Sequence, residues 1–339
     1  MEICQINGDG IGAEVVPSAI RVLSEVLDNV TVKQAEAGWQ TFLETGNSVP
    51  ATTLDSIRQS GSAIFGAVSS PSKKVEGYRS AILKMRQALG LYANIRPVDG
   101  RLGSPDSNIR FVVVRENSEG LYSGRERISG DEAIAERVIT EAASVNIGEM
   151  AVRTARIYGM NKITIVHKAN VLPVTDGLFR DSVLKAIASQ TQSNETFEID
   201  EMLVDVAALR LVSEPERFQV IVTTNLFGDI LSDIGAHWCG GLGMAPSINL
   251  GTGIAICEPV HGSAPDIANQ GIANPRAAIL SVALLCRYFW EDARAADMIE
   301  DAVRRSTSSK DENTTAITER VILELANIKK NLKVENANA

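Results

Sequence analysis

The chain has 339 residues, 45% hydrophobic and 22% charged, a globular composition with room for one large domain or two packed ones. Its 33 basic and 42 acidic side chains give a formal charge of −9, which argues against a general nucleic-acid or membrane-surface binder. The four cysteines show neither a CxxC pair nor zinc spacing, which favours reduced thiols in a cytoplasmic protein.

The amino terminus, MEICQINGDGIG, lacks the basic start and the long apolar run of a signal peptide. No run of about eighteen uncharged apolar residues predicts a transmembrane helix. The sequence therefore predicts a cytoplasmic location without membrane association.

Short apolar runs alternate with stretches of helical periodicity along the chain. The runs predicted as buried strands are MEICQI, SAIFGAV, IRFVVV, KITIVH, MLVDVA and FQVIVTT. The stretches predicted as helices are GAEVVPSAIRVLSEVL, DEAIAERVITEAASVNIGEMAVRTARIYG (long enough for two) and DGLFRDSVLKAIASQT. This alternation predicts α/β architecture with much parallel sheet. The turn-rich stretch 97–108 is either a domain crossing or a surface loop.

The glycine cluster NGDGIG, residues 7–12, lies between the first predicted strand and the first predicted helix. A Rossmann site needs G-x-G-x-x-G, and here the third glycine comes one residue early. No acidic residue ends a second strand about twenty residues later, as that site requires. The cluster therefore indicates a tight turn near a ligand and not a Rossmann nucleotide site.

Three arginines, Arg86, Arg96 and Arg115, are candidate ligand clamps. Arg115 directly follows the apolar run FVVV, and α/β proteins bind their ligands at the carboxyl ends of strands. A guanidinium group there can hold a carboxylate or a phosphate with paired hydrogen bonds. A surface ion pair is the alternative for any one arginine, but it explains all three together less well.

Three further side chains are candidates for acid–base chemistry. Tyr122 lies in ENSEGLYSG, and Lys168 follows the strand KITIVH. Lys168 can act as a base if burial disfavours its charged form, or it can simply cap the strand at the surface. Asp205 lies within or just after an apolar run, where a carboxylate is rarely buried unless it is paired or binds a metal.

The segment NLFGDILSDIGAH, residues 225–237, places Asp229 and Asp233 four residues apart, on one face of a predicted helix. Like charges repel at this spacing, so the turn is expected to be strained without a counter-ion. Together with Asp205 the pair would suit a hard cation such as Mg²⁺ or Mn²⁺. The alternative is that Asp229 caps the helix and Asp233 faces solvent.

The stretch CEPVHGSAPDIANQGIANP, residues 257–275, is predicted as an ordered loop between an apolar strand and an apolar helix. Such a loop is a plausible cofactor cradle. Asp266 could accept hydrogen bonds from a ribose diol, and His261 could contact a phosphate or a base.

These segments together resemble the metal-dependent β-decarboxylating dehydrogenases, the family of isocitrate, homoisocitrate and 3-isopropylmalate dehydrogenases. The shared motifs are GDGIG, LYANIRP, VRENSEGLY, HKANVL, TTNLFGDILSD, GGLGMAPS and EPVHGSAPDIA. They stand in the family's order and cover the chain from Ile3 to about Tyr288.

The resemblance implies an isopropylmalate dehydrogenase-like α/β fold, with two domains around a large mixed sheet, and not a Rossmann fold. Residues 1–97 and 241–339 would form the large domain with the cofactor loop. Residues 98–240 would form the small domain with the metal site and the dimer interface. Each active site lies between domains and borrows residues from a second subunit, so a homodimer is implied and higher assembly stays open.

The resemblance also implies a role for each candidate. The malate carboxylates are held by Arg86, Arg96 and Arg115. The metal, Mg²⁺ or Mn²⁺, is bound by Asp229 and Asp233 of one subunit and Asp205 of the other. The partner subunit's Lys168, with Asp205, takes the hydroxyl proton, and Tyr122 protonates the enolate carbon after CO₂ leaves. The implied cofactor contacts are Ile11, Asn170, His261, Gly262, Ser263, Ala264, Pro265, Asp266, Ile267 and Asn274.

Two positions bear on the cofactor. Asp266 and Ile267 stand where NADP-using family members carry lysine and tyrosine. A carboxylate bonds a free ribose diol and repels a 2′-phosphate, so the resemblance implies NAD.

The approach to the helix bearing Arg86 bears on the substrate. Isopropylmalate enzymes usually carry an acidic stretch here, whereas this chain reads SSPSKKVEGYRSAIL. Its polar and basic residues suit a distal carboxylate: Ser70, Lys73, Lys74, Arg79 and Ser80. Ile82, however, stands where isocitrate enzymes carry asparagine. Homoisocitrate or isocitrate is therefore predicted ahead of 3-isopropylmalate, which stays open.

One departure from the family is STSSKDENTTAIT, residues 306–318, where members commonly carry a T-P-D-L-G-G-like stretch. This difference is expected to affect the affinity for the dinucleotide.

Two other functional classes are a metal-dependent hydrolase and a catalytically silent regulatory subunit. The hydrolase gives Lys168 and Tyr122 no role. Silent subunits tend to lose the metal aspartates or the lysine, which this chain keeps.

Overall fold

The computed structural model describes residues 1–73, 75–306 and 312–338. In chain order the strands and helices are β1 (Glu2–Gly8), α1 (Gly12–Val26), β2 (Thr31–Ala35), α2 (Trp39–Thr45), α3 (Ala51–Ser60), β3 (Ser62–Ala67), α4 (Ala81–Ala88), β4 (Ala93–Asp99), β5 (Arg110–Glu116), β6 (Glu126–Ser129), β7 (Glu132–Ala135), α5 (Glu141–Tyr158), β8 (Lys162–His167), α6 (Thr175–Gln190), β9 (Glu198–Leu203), α7 (Val204–Ser213), β10 (Val220–Thr223), α8 (Asn225–Ala236), β11 (Pro246–Gly251), β12 (Ile254–Pro259), α9 (Arg276–Tyr288), α10 (Ala293–Arg305) and α11 (Thr314–Asn338). The predicted α/β class is confirmed.

Ten strands form one mixed sheet in the order β2-β1-β3-β12-β11-β4-β5-β10-β8-β9. Strand β4 runs antiparallel to β5, whereas β1 is parallel to both β2 and β3, and β10 is parallel to both β5 and β8. The predicted large mixed sheet is thus confirmed. Its strand order differs from the 3-2-1-4-5-6 order of a Rossmann sheet.

The chain forms two compact units. The first contains residues 1–89, 241–248 and 252–339, and the second contains residues 90–240 and 249–251. The boundary predicted after residue 97 falls inside β4, which pairs with β5 along its whole length. In the stretch 97–108, residues 97–99 end β4, and residues 100–108 belong to the loop of the second unit that leads to β5. The assignment of cofactor and metal to separate domains stays a prediction.

In the first unit, β1 and β3 form a buried parallel pair against which α1 packs. Every residue of β3 is buried, as its uninterrupted apolar run predicts. In α9 only Arg287 is not buried, which is typical of a helix in the middle of a core. The glycine cluster forms the predicted tight turn: Gly8 and Gly10 have φ of +71° and +57° and lead directly into α1.

In the second unit, the predicted helix over residues 131–159 is wrong in its first part. Residues 126–135 form a hairpin in which Ser129 pairs with Glu132 across Gly130 and Asp131. Gly130 has φ of +64°, so the Gly-Asp pair is a turn signal that the helical periodicity concealed. Helix α5 begins only after Thr140, whose hydroxyl accepts a 3.2 Å hydrogen bond from the backbone N–H of Ala143.

The run MLVDVA, predicted as a strand, contains the end of β9 and the start of α7 at Val204. Asp205 therefore lies in the first turn of a helix, and its side chain is 62% exposed. Among the described residues, no helix is both long and apolar enough to cross a membrane. All four cysteines are free and buried.

Candidate active site

Helix α8 carries Asp229 and Asp233 on one face, as predicted. Thr224 occupies the N-cap position and Asp229 lies one turn inside the helix, so the capping interpretation of Asp229 is wrong. The Asp233 side chain is 57% exposed, and partial burial raises the pKa of its carboxyl group above the usual value.

Arg115, at the carboxyl end of β5, points its guanidinium group at α8. Its side chain is 1% exposed, and its Nη1 donates a 2.5 Å hydrogen bond to Asp229 Oδ1. Its Nε and Nη2 both donate to Asn225 Oδ1, at 3.0 and 2.7 Å. Gly228 makes this close packing possible, because a Cβ atom there would lie 2.7 Å from Arg115 Cγ.

Arg96, in β4, is the second buried arginine at this helix. Its Nη2 lies 3.2 Å from Asp229 Oδ1 and its Nη1 lies 3.5 Å from Asp233 Oδ1. Ser232 accepts from Nη1 at 2.8 Å, and Asn94 accepts from Nε at 2.7 Å. Two arginines therefore face two aspartates, and the predicted repulsion between the aspartates is offset without a metal ion.

Tyr122 joins the same cluster. Its hydroxyl donates a 2.5 Å hydrogen bond to Asp229 Oδ2, and its ring centroid lies 5.2 Å from the Arg115 guanidinium carbon. Burial, together with the neighbouring Asp229 carboxylate, raises the pKa of the phenol. The phenol therefore stays protonated at neutral pH.

Lys168 and Asp205 form a second group in the same unit. Lys168 Nζ is hydrogen-bonded and ion-paired to Asp205 Oδ1. This hydrogen bond is the main reason that the pKa of the Asp205 carboxyl group is lowered. A lysine paired with a carboxylate can pass a proton along that contact.

The aspartates of α8 offer only carboxylate oxygens, the ligand type that Mg²⁺ and Mn²⁺ prefer. Within the described part of the chain, no three His, Cys, Asp or Glu side chains come together in a way that could hold a metal ion. Asp205 therefore does not join Asp229 and Asp233 within one chain. The two aspartates fit a hard cation, but a complete shell needs ligands from elsewhere.

The first unit contains the other predicted substrate residues. Arg86, in α4, is 7% exposed, and its Nη2 donates a 3.0 Å hydrogen bond to Glu258 Oε1. Its Nε is buried and has no hydrogen-bond partner among the described residues, which leaves a donor that a carboxylate could use. Ser80 stands at the N-cap of α4 without a capping hydrogen bond. Ser70 is exposed, and Lys74 lies outside the described residues.

The predicted cofactor loop packs against the glycine turn. Ile11 N donates to Ser263 O at 2.9 Å, and Ser69 Oγ donates to Ser263 Oγ at 2.8 Å. A Cβ atom on Gly10 would lie 2.1 Å from Ser263 O, so only glycine fits there. Ala264 has φ of +40°, which turns the chain sharply before the 3₁₀ turn Pro265–Ile267. The predicted cofactor loop around Gly262 is thus held in one conformation.

Two side chains of this loop fit a dinucleotide. The Asp266 side chain is exposed and can accept from a ribose diol, whereas His261 Nε2 is buried and has no hydrogen-bond partner in the described part of the chain. Burial lowers the pKa of His261, so its imidazole is neutral near pH 7. Asn274 Nδ2 contacts Met244 Sδ at 3.3 Å, and Asn170 is exposed in the second unit after Lys168. Of the departing stretch 306–318, residues 307–311 lie outside the described residues.

Several residues that hold the site were missed from the sequence. Asn225, Gly228 and Ser232 lie inside the motif NLFGDILSD and could have been found as neighbours of the aspartates on α8. Asn94, two residues before Arg96 in LYANIRP, could also have been found, because alternate residues of a strand share a face. Glu258, the buried partner of Arg86, lies in the predicted cofactor loop, and nothing local linked it to an arginine.

Comparison with known proteins gives consistent matches. The family model described as isocitrate/isopropylmalate dehydrogenase matches residues 2–328. An isocitrate/homoisocitrate dehydrogenase of Thermus thermophilus is 47% identical over 329 residues, 94% of this chain and 97% of that protein. A 3-isopropylmalate dehydrogenase of Methanothermobacter thermautotrophicus is 42% identical over 308 residues, 90% of each chain. The crystal structure of isocitrate dehydrogenase from Methylococcus capsulatus matches with a TM-score of 0.87 and 39% identity, over 96% of this chain and 99% of that one.

Proposed function

Because the chain belongs to the isocitrate/isopropylmalate dehydrogenase family, we propose that it converts homoisocitrate or isocitrate to the 2-oxo acid, CO₂ and NADH. Members of the family are metal-dependent decarboxylating dehydrogenases that act on CH–OH groups and use NAD or NADP. The buried free thiols and the acidic charge favour the cytoplasm and give no support to a nucleic-acid or membrane partner.

One observation carries the proposal: buried Arg96 and Arg115 and the hydroxyl of Tyr122 all meet Asp229 on α8. Arginines suit a polycarboxylate substrate, and aspartates suit a cation. A site with both charges at one place fits a reaction whose substrate is bound together with a metal ion. In a hydrolase that used only the aspartates, the buried arginines would have no function.

The chain's own residues supply the remaining steps. Three arginines bind and orient the substrate carboxylates: Arg86, Arg96 and Arg115. Lys168 passes a proton to its ion-pair partner Asp205 and can then accept the proton of the substrate hydroxyl. When bound, NAD supplies the hydride acceptor, and Mg²⁺ or Mn²⁺ at Asp229 and Asp233 supplies polarisation of the oxidised oxygen. Tyr122 then donates its phenolic proton to the carbon that has lost CO₂.

The choice of NAD follows from Asp266. Its exposed carboxylate can accept from both hydroxyls of an unmodified ribose and repels a 2′-phosphate. We assign the dinucleotide to Ile11, Asn170, Asn274 and the loop 261–267.

A homodimer is supported by the surface of α7. Val206, Leu209 and Val212 recur every three residues on this helix and are 39%, 64% and 61% exposed. The next helix, α8, contacts α7 and adds Ile230, which is 51% exposed. We propose that a second copy covers this apolar surface, because Asp205 on α7 is exposed and its two metal partners lie elsewhere. Assembly beyond the dimer stays open.

The substrate ranking rests on the approach to α4. Lys73 and Arg79 are exposed there, and their charge suits a third carboxylate on the substrate. The Thermus relative is named for isocitrate and homoisocitrate, in agreement with this ranking. The aliphatic Ile82 keeps 3-isopropylmalate as the second candidate.

The test is a steady-state comparison of homoisocitrate, isocitrate and 3-isopropylmalate, with NAD or NADP and with Mg²⁺ or Mn²⁺. We expect NADH formation with one of the first two substrates and none after chelation of the metal. Oxidation of none of the three would refute the proposal, and a preference for 3-isopropylmalate would select the second candidate.

A further inference from the structure

Asp176, in the first turn of α6, is a fully buried carboxylate with no part in the proposed chemistry. Its Oδ2 accepts a 2.6 Å hydrogen bond from the backbone N–H of Lys168. Its Oδ1 is ion-paired with Arg137 Nη1. Burial of a carboxylate is costly unless such partners replace the water that it loses.

Arg137 is fixed on its other side by the start of α8. Its Nη2 donates to Thr224 Oγ1 at 3.0 Å, and its guanidinium carbon lies 4.9 Å from the ring centroid of Phe227. The Arg137 side chain is 15% exposed. The ion pair therefore joins the backbone of Lys168 to the first turn of the helix that carries Asp229.

The turn that follows β8 is closed by backbone hydrogen bonds around Lys168. Val171 N and Leu172 N both donate to Lys168 O, at 3.0 and 2.9 Å. Asp176 N in turn donates to Leu172 O at 3.0 Å. Lys168 has a long, flexible side chain, so the position of its backbone decides where its amine can reach.

We propose that Asp176 and Arg137 are positioning residues for Lys168. The Asp176 carboxylate anchors the Lys168 backbone, and Arg137 holds that carboxylate in place. This inference rests on the proposed function, in which Lys168 touches the substrate. A displacement of about 1 Å at a reacting group can reduce a rate about 100-fold, so an anchor of this kind has a large effect on turnover.

A double-mutant cycle separates positioning from a general structural role. Asp176→Asn in the wild-type background should reduce kcat about 10- to 100-fold, with the KM for NAD changed less than about threefold. In a Lys168→Ala background, the same substitution should reduce the residual kcat by less than about twofold. An equal loss in both backgrounds would refute the inference, because Asp176 would then act independently of Lys168.

A second readout does not depend on turnover. The acetylation rate of the Lys168 amine, measured by mass spectrometry relative to Lys162, should change at least about threefold in Asp176→Asn. An unchanged rate would overturn the positioning role even if the wild-type protein oxidises none of the candidate substrates. Failure of the proposed function is therefore distinguishable from failure of this inference.

A milder variant covers the case in which Asp176→Asn does not fold. Arg137→Lys keeps a positive charge but loses the planar fork that reaches Asp176 and Thr224, so kcat should fall about 3- to 10-fold. Glu195→Gln is the matched control, because it breaks the 2.7 Å ion pair with Arg156 in the same unit without touching Lys168. The control should keep kcat within about twofold of wild type; if it matched Arg137→Lys, the inference would fail.

Discussion

Arg115 donates a 2.5 Å hydrogen bond to Asp229, so a residue predicted to bind substrate holds a residue predicted to bind metal. Arg96 makes the same link to Asp229 at 3.2 Å and to Asp233 at 3.5 Å. The guanidinium N–H groups that now contact the aspartates must release them before they can bind a substrate carboxylate. Binding of a cation to the aspartates and of a substrate carboxylate to the arginines would therefore replace these internal ion pairs with contacts to the two ligands.

The first prediction follows from this exchange. Binding of Mg²⁺ should be about 5- to 150-fold tighter in the presence of saturating substrate than in its absence. By reciprocity, the substrate should bind more tightly with the metal by the same factor. Isothermal titration calorimetry without NAD measures both affinities, and independent binding of the two ligands would contradict the exchange.

The second prediction concerns Asp229→Asn. The amide keeps an acceptor for Arg115 but loses the charge, so kcat/KM at limiting Mg²⁺ should fall more than about 100-fold. The melting temperature should change by only a few degrees, about 2–4 °C per kcal/mol. Kinetics over a Mg²⁺ series, together with thermal unfolding, check both parts. Normal turnover at limiting Mg²⁺ would remove Asp229 from the metal site.

The third prediction uses two glycines of α8 as a matched pair. A Cβ atom on Gly228 would lie 2.7 Å from Arg115 Cγ, whereas one on Gly235 would lie 2.9 Å from Val98 Cγ2 in the core. Gly228→Ala should displace Arg115 and raise the KM for the hydroxy acid about 10-fold or more. Gly235→Ala should lower the melting temperature and leave that KM unchanged. Equal effects on KM would show that Arg115 does not bind the substrate.

The site helix shows what local sequence patterns can predict. The spacing of Asp229 and Asp233 predicted one helix face, and the structure has that face. The same pattern could not show that Arg96, more than a hundred residues earlier in the sequence, reaches both carboxylates. Long-range ion pairs depend on sheet order, and a single sequence does not give that order from periodicity alone.

At Asp205 and in the hairpin 126–135, the local sequence pattern predicted the wrong secondary structure. MLVDVA has the apolar character of a buried strand, yet a helix begins at Val204 and leaves the Asp205 side chain 62% exposed. In DEAIAERVI the apolar residues fit a helix and a two-stranded ribbon about equally well. The Gly130 turn decided the outcome, and turn chemistry in such segments outweighs periodicity.

The fourth prediction concerns thiol reactivity. Burial raises the pKa of Cys239 and of Cys286 to about 12 and also raises that of Cys4. A raised thiol pKa means less thiolate at a given pH, so labelling by a disulfide reagent at pH 8 should be at least about 100-fold slower than in denaturant. Titration of thiols before and after unfolding in guanidinium chloride counts them, and all four should react only after unfolding. Rapid labelling of the native protein would contradict the burial of these residues.

The fifth prediction tests whether active sites are shared between subunits. Lys168→Ala and Asp229→Asn should each keep only a small residual activity alone, because each removes one part of every site. After the two variants are unfolded and refolded together, half of the dimers are mixed, and one site in each mixed dimer has an intact lysine and an intact Asp229. Activity should therefore return to about a quarter of the wild-type value.

The matched control is Lys168→Ala mixed with Asp205→Asn. Both residues are predicted to belong to the other subunit's active site, so no intact site forms in a mixed dimer and activity should not return. Recovery in the control but not in the first mixture would contradict the assignment of Lys168 and Asp205 to the partner's site, and recovery in neither would place Lys168 and Asp229 in the same subunit's site.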